Sequence, residues 1–156
     1  MMNDEFDLSI NQLTGEYRHS IDAKNRLFIP AKHRELLGTT FVIAKDFHAN
    51  CLRVFSLEAW KAYIAPIEKL KGEKKAKVKR FLFPNADPQS ADTQGRATIP
   101  KPLLDYAGIN YEEAREVAII GCETYAEIWN AAEYEKMKAS LDMEELFADL
   151  DEEVDL

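Results

Sequence analysis

Short apolar blocks recur along the chain, and they recur in the same order twice. "TFVIAKD" (40–46) and "CLRVFS" (51–56) are rich in β-branched and aromatic residues and too short for helices, so they predict two strands. "EVAIIG" (116–121) and "YAEIWN" (125–130) predict the same pair again. Before each pair stands a segment of helical spacing, "AKHRELLG" (31–38) or "KPLLDYAG" (101–108), preceded by Pro30 or Pro100 and stopped at Gly38 or Gly108. After each pair a longer helix is predicted to start behind Ser56 or Asn130, both favoured N-cap types. Glu133 stands three residues beyond Asn130, as in a capping box. Ahead of the first helix, "GEYRHSI" and "RLFI" read as two strands joined by a turn. "PQSA", more weakly, and "RATI" read likewise in the second half. Each such pair is expected to form a local β-hairpin.

The order of blocks is a true repeat. Shifting the chain by 70 places Asp22, Arg26, Ile29, Pro30 and Gly38 on Asp92, Arg96, Ile99, Pro100 and Gly108. The second copy gains a few residues at "INYEEARE", after which Trp60 falls on Tyr134. The chain divides into a first unit at 14–62, a basic helical connector at 63–84, a second unit at 85–137 and an acidic tail at 138–156. One unit has four short strands and little core. The expectation is α+β, two tandem pseudo-symmetric units joined into one pseudo-twofold β-barrel with flanking helices.

The turns have their own chemistry. Asp22 and Asp92 suit a turn start because their side chains accept backbone N–H groups. Asn25 and Gly95 precede the two arginines, and these are the residue types that most readily take positive φ.

Composition narrows the classes. Of 156 residues 46% are apolar and 31% charged, and no apolar run approaches a membrane span. "MMNDEFDLSINQL" lacks a basic stretch followed by an apolar one, so no secretory signal is expected and the chain is placed in the cytoplasm. Cys51 and Cys122 belong to no CxxC pair and read as buried thiols. His19, His33 and His48 have no metal-ligand spacing, and neither zinc nor any other cofactor is expected. No nucleophile constellation, GxGxxG or Walker pattern stands out, which argues against an enzyme.

Net charge is −8, but it is unevenly spread. Residues 139–156 hold eight acidic residues and no basic ones, and the remainder holds 20 of each sign. "EKLKGEKKAKVKR" (68–80) has seven basic residues against two acidic, and "EYRHSIDAKNRLFIPAKHRE" (16–35) five against three. The lysine run, with Ile67, Leu70, Val78 and Phe81 on one face, reads as a solvated helix weakened at Gly72. The tail reads as a disordered segment that shields the basic surface.

The doubled D-x-x-x-R, each followed by Ile-Pro, and the opening "GEYRHSID" resemble the MraZ family of bacterial transcriptional regulators, within the AbrB/SpoVT swapped-hairpin superfamily. The resemblance covers about 14–137 and departs at Asn25, where the family pattern has Gly. It implies sequence-specific binding of double-stranded DNA at short promoter repeats of a division and cell-wall gene cluster. It also implies a ring-shaped homo-oligomer associated with the nucleoid.

With that resemblance, Arg26 and Arg96 are the expected base readers, since arginine forks bidentately onto guanine and a two-stranded ribbon fits the major groove. Lys24, Arg18 and Lys32 are candidate phosphate contacts, with Asn25 and Gln94 beside them in the loops. The first loop should attract phosphate more than the second, because Gln94 brings no charge. Asp22 and Asp92, with Gly95, form the turns and orient the arginines, and a purely structural role for those arginines stays open. The alternative is a protein-interaction module such as an AbrB-like antitoxin. A small basic toxin encoded next door would favour it.

Overall fold

The computed structural model describes residues 12–154; residues 1–11, on which the expectation of no secretory signal rests, and residues 155–156 of the acidic tail lie outside the described residues. The first copy supplies β1 (Glu16–Ser20), β2 (Arg26–Phe28), α1 (Ala31–Leu37), β3 (Phe41–Lys45), β4 (Leu52–Ser56) and α2 (Leu57–Ile64). A 3-10 turn (Ala65–Lys69), α3 (Gly72–Leu82) and a second 3-10 turn (Phe83–Asn85) connect it to the second copy. That copy supplies β5 (Ala86–Gln89), β6 (Arg96–Thr98), α4 (Lys101–Ala107), β7 (Glu116–Gly121), β8 (Ala126–Asn130) and α5 (Ala131–Ala139). Helix α6 (Met143–Val154) follows.

The local start signals act as expected. Ser56 Oγ accepts the Ala59 amide at 3.1 Å and Asn130 Oδ1 accepts the Glu133 amide at 3.1 Å, so α2 and α5 begin where the sequence places them. Pro30 and Pro100 stand at the entries of α1 and α4, and Gly38 and Gly108 end these helices at positive φ. The hairpins β3–β4 and β7–β8 form within their copies.

The other expected hairpin does not form. β1 pairs antiparallel with β7 of the second copy, β5 pairs with β3 of the first, and β2 pairs with β6. The reason is burial. Leu27 and Ala97 sit opposite each other in β2–β6 and are fully buried, together with Ile29 and Ile99. A single copy would leave this apolar face uncovered, at a cost of about 1.5–3 kcal/mol per large side chain. The resulting core mixes both copies: Leu27, Leu37, Phe41 and Val54 pack with Leu103, Leu104, Ile119 and Ile128.

The sheet is mixed α+β in setting but not a closed barrel. Its order is β1-β7-β8-β4-β3-β5, with β1 and β5 as open edges and β2–β6 as a separate ribbon. Edge β5 carries Pro88, which cannot donate to a further strand, and edge β1 carries exposed Glu16 and Arg18. Both features resist pairing with a stray strand.

The repeat is visible in the aromatics. Phe55 and Trp60 lie 5.5 Å apart between ring centres, and their equivalents Trp129 and Tyr134 lie 5.6 Å apart. All four are buried, so they are core residues of the chain. The basic connector is not one helix: the chain is extended at Leu70 and Lys71, and Gly72 opens α3 instead of weakening its middle. Ile67 is buried and Val78 partly so, whereas Phe81 is 67% exposed.

The tail is also not disordered over its described part. Asp142 Oδ1 accepts the Glu145 amide at 3.1 Å, and Glu144 and Glu145 add negative charge to the first turn of α6, where the helix dipole favours it.

Candidate nucleic-acid interface

The two D-x-x-x-R turns have nearly identical geometry. Asp22 Oδ1 accepts the amides of Lys24 at 2.9 Å and Arg26 at 2.8 Å, and Asp22 Oδ2 accepts Arg26 Nε at 2.7 Å. Asp92 Oδ1 accepts the amides of Gln94 and Arg96 at 2.9 Å, and Asp92 Oδ2 accepts Arg96 Nε at 3.0 Å. Asn25 adopts φ 61° and Gly95 φ 83°. The two turns then lock each other: Ile29 N–H donates to Gly95 O at 2.9 Å, and Ile99 N–H donates to Asn25 O at 2.8 Å.

Charge follows from these bonds. Burial pushes the Asp22 carboxyl up, but bonds from the Arg26 and Lys24 amides and the Arg26 side chain outweigh it and hold it below its ordinary value. The Arg96 amide is the largest cause holding Asp92 low. Both carboxylates are therefore ionised at neutral pH. Each uses one oxygen on its arginine's Nε. The Nη groups of Arg26 and Arg96 have no hydrogen-bond or ion-pair partner among the described residues. That end is the fork that grips guanine or phosphate.

The ribbon has two faces. Leu27 and Ala97 face the core. Arg26, Phe28, Arg96 and Thr98 alternate onto the outer face. Arg26 lies opposite Thr98 and Arg96 opposite Phe28, so the arginines occupy opposite ends of one face. Lys24 and Gln94 are exposed in the two turns, and Asn25 is half-buried between Lys24 and Arg26. Lys32 is exposed in the first turn of α1.

Arg18 is not brought to this surface. Its guanidinium sits between Glu16, at 3.1 Å, and Glu135 of α5, and beside the Tyr134 ring. Conversely, the sequence reading missed Arg34 and Phe28. Arg34 Nε donates to Ile29 O at 2.9 Å, and its guanidinium lies 5.2 Å from the Phe28 ring centre and against Gly95. A Cβ on Gly95 would stand 2.7 Å from Arg34 Cζ. The position equivalent to Arg34 in the second copy is Leu104, buried in the core. That asymmetry explains why Asn is accommodated at 25 while 95 holds Gly. The one signal in the sequence was the mismatch of Arg34 with Leu104.

A second polar cluster lies away from the ribbon. Asp46, Cys51 and Glu127 bring ligand-type atoms within 4.8 Å of one another. Each is already engaged. Cys51 Sγ is 3.4 Å from Asp46 Oδ2, Arg53 is 3.4 Å from the same oxygen, and Trp129 Nε1 donates to Glu127 at 3.0 Å. Burial first, then the nearby carboxylates, push the Cys51 thiol up, so it stays protonated. The sequence spacing of these three residues gave no hint of the cluster.

The twofold architecture around a doubled D-x-x-x-R has a match. The family described as "MraZ protein, putative antitoxin-like" matches residues 12–81 and again residues 82–156. The chain belongs to the MraZ family of transcriptional regulators. The MraZ boundary near 81–82 falls between the two copies of the repeat. Among similar proteins is the "Transcriptional regulator MraZ" of Clostridium tetani, 39% identical over 136 residues, which is 85% of this chain and 92% of that protein. That of Thermoanaerobacter sp. is 40% identical over 144 residues, 90% of this chain and 97% of that protein. The MraZ relatives carry a regulator's name, not an enzyme's. Among the described residues no helix is long and apolar enough to cross a membrane.

Proposed function

We propose that this chain is a transcriptional regulator that reads double-stranded DNA with the outer face of the β2–β6 ribbon. The observation that carries this reading is the pair of arginines on one face, each held at Nε by its own turn aspartate and each with its Nη end unpaired among the described residues. Pre-orientation by aspartate lowers the ordering entropy of a long side chain on binding. Diagonal positions on a two-stranded ribbon are about 7–8 Å apart. Stacked base pairs are about 3.4 Å apart. The two arginines therefore suit guanines about two steps apart. Lys24 adds phosphate attraction at the first turn, and Gln94 hydrogen-bonds at the second without adding charge.

One ribbon makes few base contacts. A homo-oligomer, ring-shaped in this reading, engages several promoter repeats at once and gains avidity through effective concentration. This offsets the net charge of −8, because the local field at the ribbon governs approach. The regulated genes are a division and cell-wall cluster, and the protein works at the nucleoid. The units 14–62 and 85–137 act as the two halves of one reader.

The test is fluorescence anisotropy with labelled DNA from upstream of the gene, against a scrambled duplex, over a salt series. Arg26→Ala with Arg96→Ala is expected to lose about 2–6 kcal/mol per ribbon, from about 1–3 per bidentate contact, and with it the preference for the upstream DNA. Circular dichroism and oligomer mass should be unchanged. Equal binding by the double variant leaves the arginines as turn-formers and favours the protein-interaction reading.

A further inference from the structure

Two surfaces of opposite character lie unused. The first is a groove of about 820 Å³ built by α2, α3 and the β3–β4 loop, lined by Phe47, Tyr63, Val78 and Phe81. Phe47, Tyr63 and Phe81 are exposed at 46%, 38% and 67%. Lys74 and Lys77 rim it, and among the described residues Glu73 is the one acidic residue lining it. Lys75 and Lys79 are occupied by Glu68, whereas Lys74 and Lys77 have no ion pair among the described residues. The second surface is α6. Met143, Leu146, Phe147 and Leu150 fall at i, i+3, i+4 and i+7 and form one apolar stripe, each at least 41% exposed. Exposed Glu144, Glu145, Asp149 and Glu152 supply the charge around it.

We propose that α6 of one copy of the chain docks its apolar stripe into the α2–α3 groove of a second copy. The fit rests on three matches. Both surfaces are apolar and open, so joining them removes large exposed patches from water. The charges are opposite, acidic on the helix and basic on the rim. The lengths agree, since helices of 12 and 11 residues are about 18 and 16 Å long.

A second copy is the occupant because the chain's own helix is tethered elsewhere. Three residues, Ser140–Asp142, tie α6 to α5, which packs on β7 and β8 of the second repeat; the groove belongs to the first repeat and the connector. The contact is head-to-tail, so each copy offers one helix and one groove. Such a contact closes into a ring when the rotation between copies allows it. The proposal rests on the reading that copies of the chain associate, and it names the surfaces that join them.

The experiment uses full-length chains and analytical ultracentrifugation across a concentration series. One variant carries Phe147→Ser and Leu150→Ser and keeps an intact groove. The other carries Lys74→Glu and Lys77→Glu and keeps an intact helix. All four positions are exposed, so far-UV circular dichroism should stay unchanged. Wild type is expected to associate, and the Phe147/Leu150 variant to do so on the order of 100-fold more weakly. The Lys74/Lys77 variant should weaken too, and mixing the two variants should restore a 1:1 complex, because one supplies the groove and the other the helix. A monomeric wild type overturns both the oligomer reading and this one. An associating wild type whose variants associate equally well overturns only the docking. Loss of association in both variants with no recovery on mixing also overturns docking between copies. DNA binding by the Arg26/Arg96 variant is measured separately and is independent of these outcomes.

Discussion

Gly95→Ala should destabilise the protein through Arg34, and the effect should be absent at the equivalent Asn25. Two costs add at position 95. Holding alanine at φ 83° costs about 1–2 kcal/mol, because a Cβ crowds the following carbonyl in the left-handed region. The new Cβ would also stand 2.7 Å from Arg34 Cζ and 2.9 Å from its Nε, so the guanidinium must move. Moving it breaks the 2.9 Å bond from Arg34 Nε to Ile29 O and withdraws the cation from the Phe28 ring. That costs about 1–2 kcal/mol more. The total, about 2–4 kcal/mol, corresponds to a fall in melting temperature of roughly 4–16 °C for a chain of this size. Asn25→Gly, by contrast, removes a modest strain and should change stability by less than about 1 kcal/mol. The assay is urea unfolding followed by the fluorescence of Trp60 and Trp129, at one fixed protein concentration, for Gly95→Ala, Arg34→Ala and the double variant. In the absence of the Arg34 side chain, Gly95→Ala should cost only the backbone term, so the double-mutant cycle should show a coupling of about 1–2 kcal/mol. A cycle with no coupling, or a Gly95→Ala variant as stable as wild type, would refute the reasoning.

Acid should loosen the turns first. Asp22 and Asp92 are held below their ordinary values, so their stabilisation is complete above the unfolded pKa of about 4 and is lost as pH falls through the folded values. Stability measured between about pH 5 and pH 2 should fall less steeply in an Asp22→Asn, Asp92→Asn variant than in wild type; an equal slope would remove the turns from the account. Neither cysteine should react readily with iodoacetamide at pH 8 in the native protein. Burial keeps Cys51 protonated, and burial together with Glu127 pushes the Cys122 thiol up to about 11, which leaves little thiolate. Rapid native labelling of Cys51 would contradict its burial. Lys24→Gln should lower the salt dependence of DNA binding by about one unit of slope for each loop engaged, whereas Gln94→Ala should leave that slope unchanged.

Much of this molecule is legible within windows of a few residues. Asp22 and Asp92 closing their turns, Pro30 and Pro100 entering helices, and Ser56 and Asn130 capping them all follow from short-range chemistry. So do the hairpins β3–β4 and β7–β8, whose strands meet across short loops. The doubling itself is a sequence property, and it marks both arginines as equivalent. What short windows do not contain is the identity of a strand's partner. β1 and β2 are adjacent in sequence yet pair with β7 and β6, because only the other copy covers Leu27 and Ile29. The same limit hid Arg34, whose role depends on a glycine of the opposite copy, and the cluster of Asp46, Cys51 and Glu127. The helical tail follows a similar logic: its acidic composition suggested disorder, but a cap at Asp142 and an apolar stripe organise it. Local chemistry chose the turns, caps and helix starts, whereas burial, which is settled only when both copies meet, chose the pairings and so placed Arg26 and Arg96 on one face.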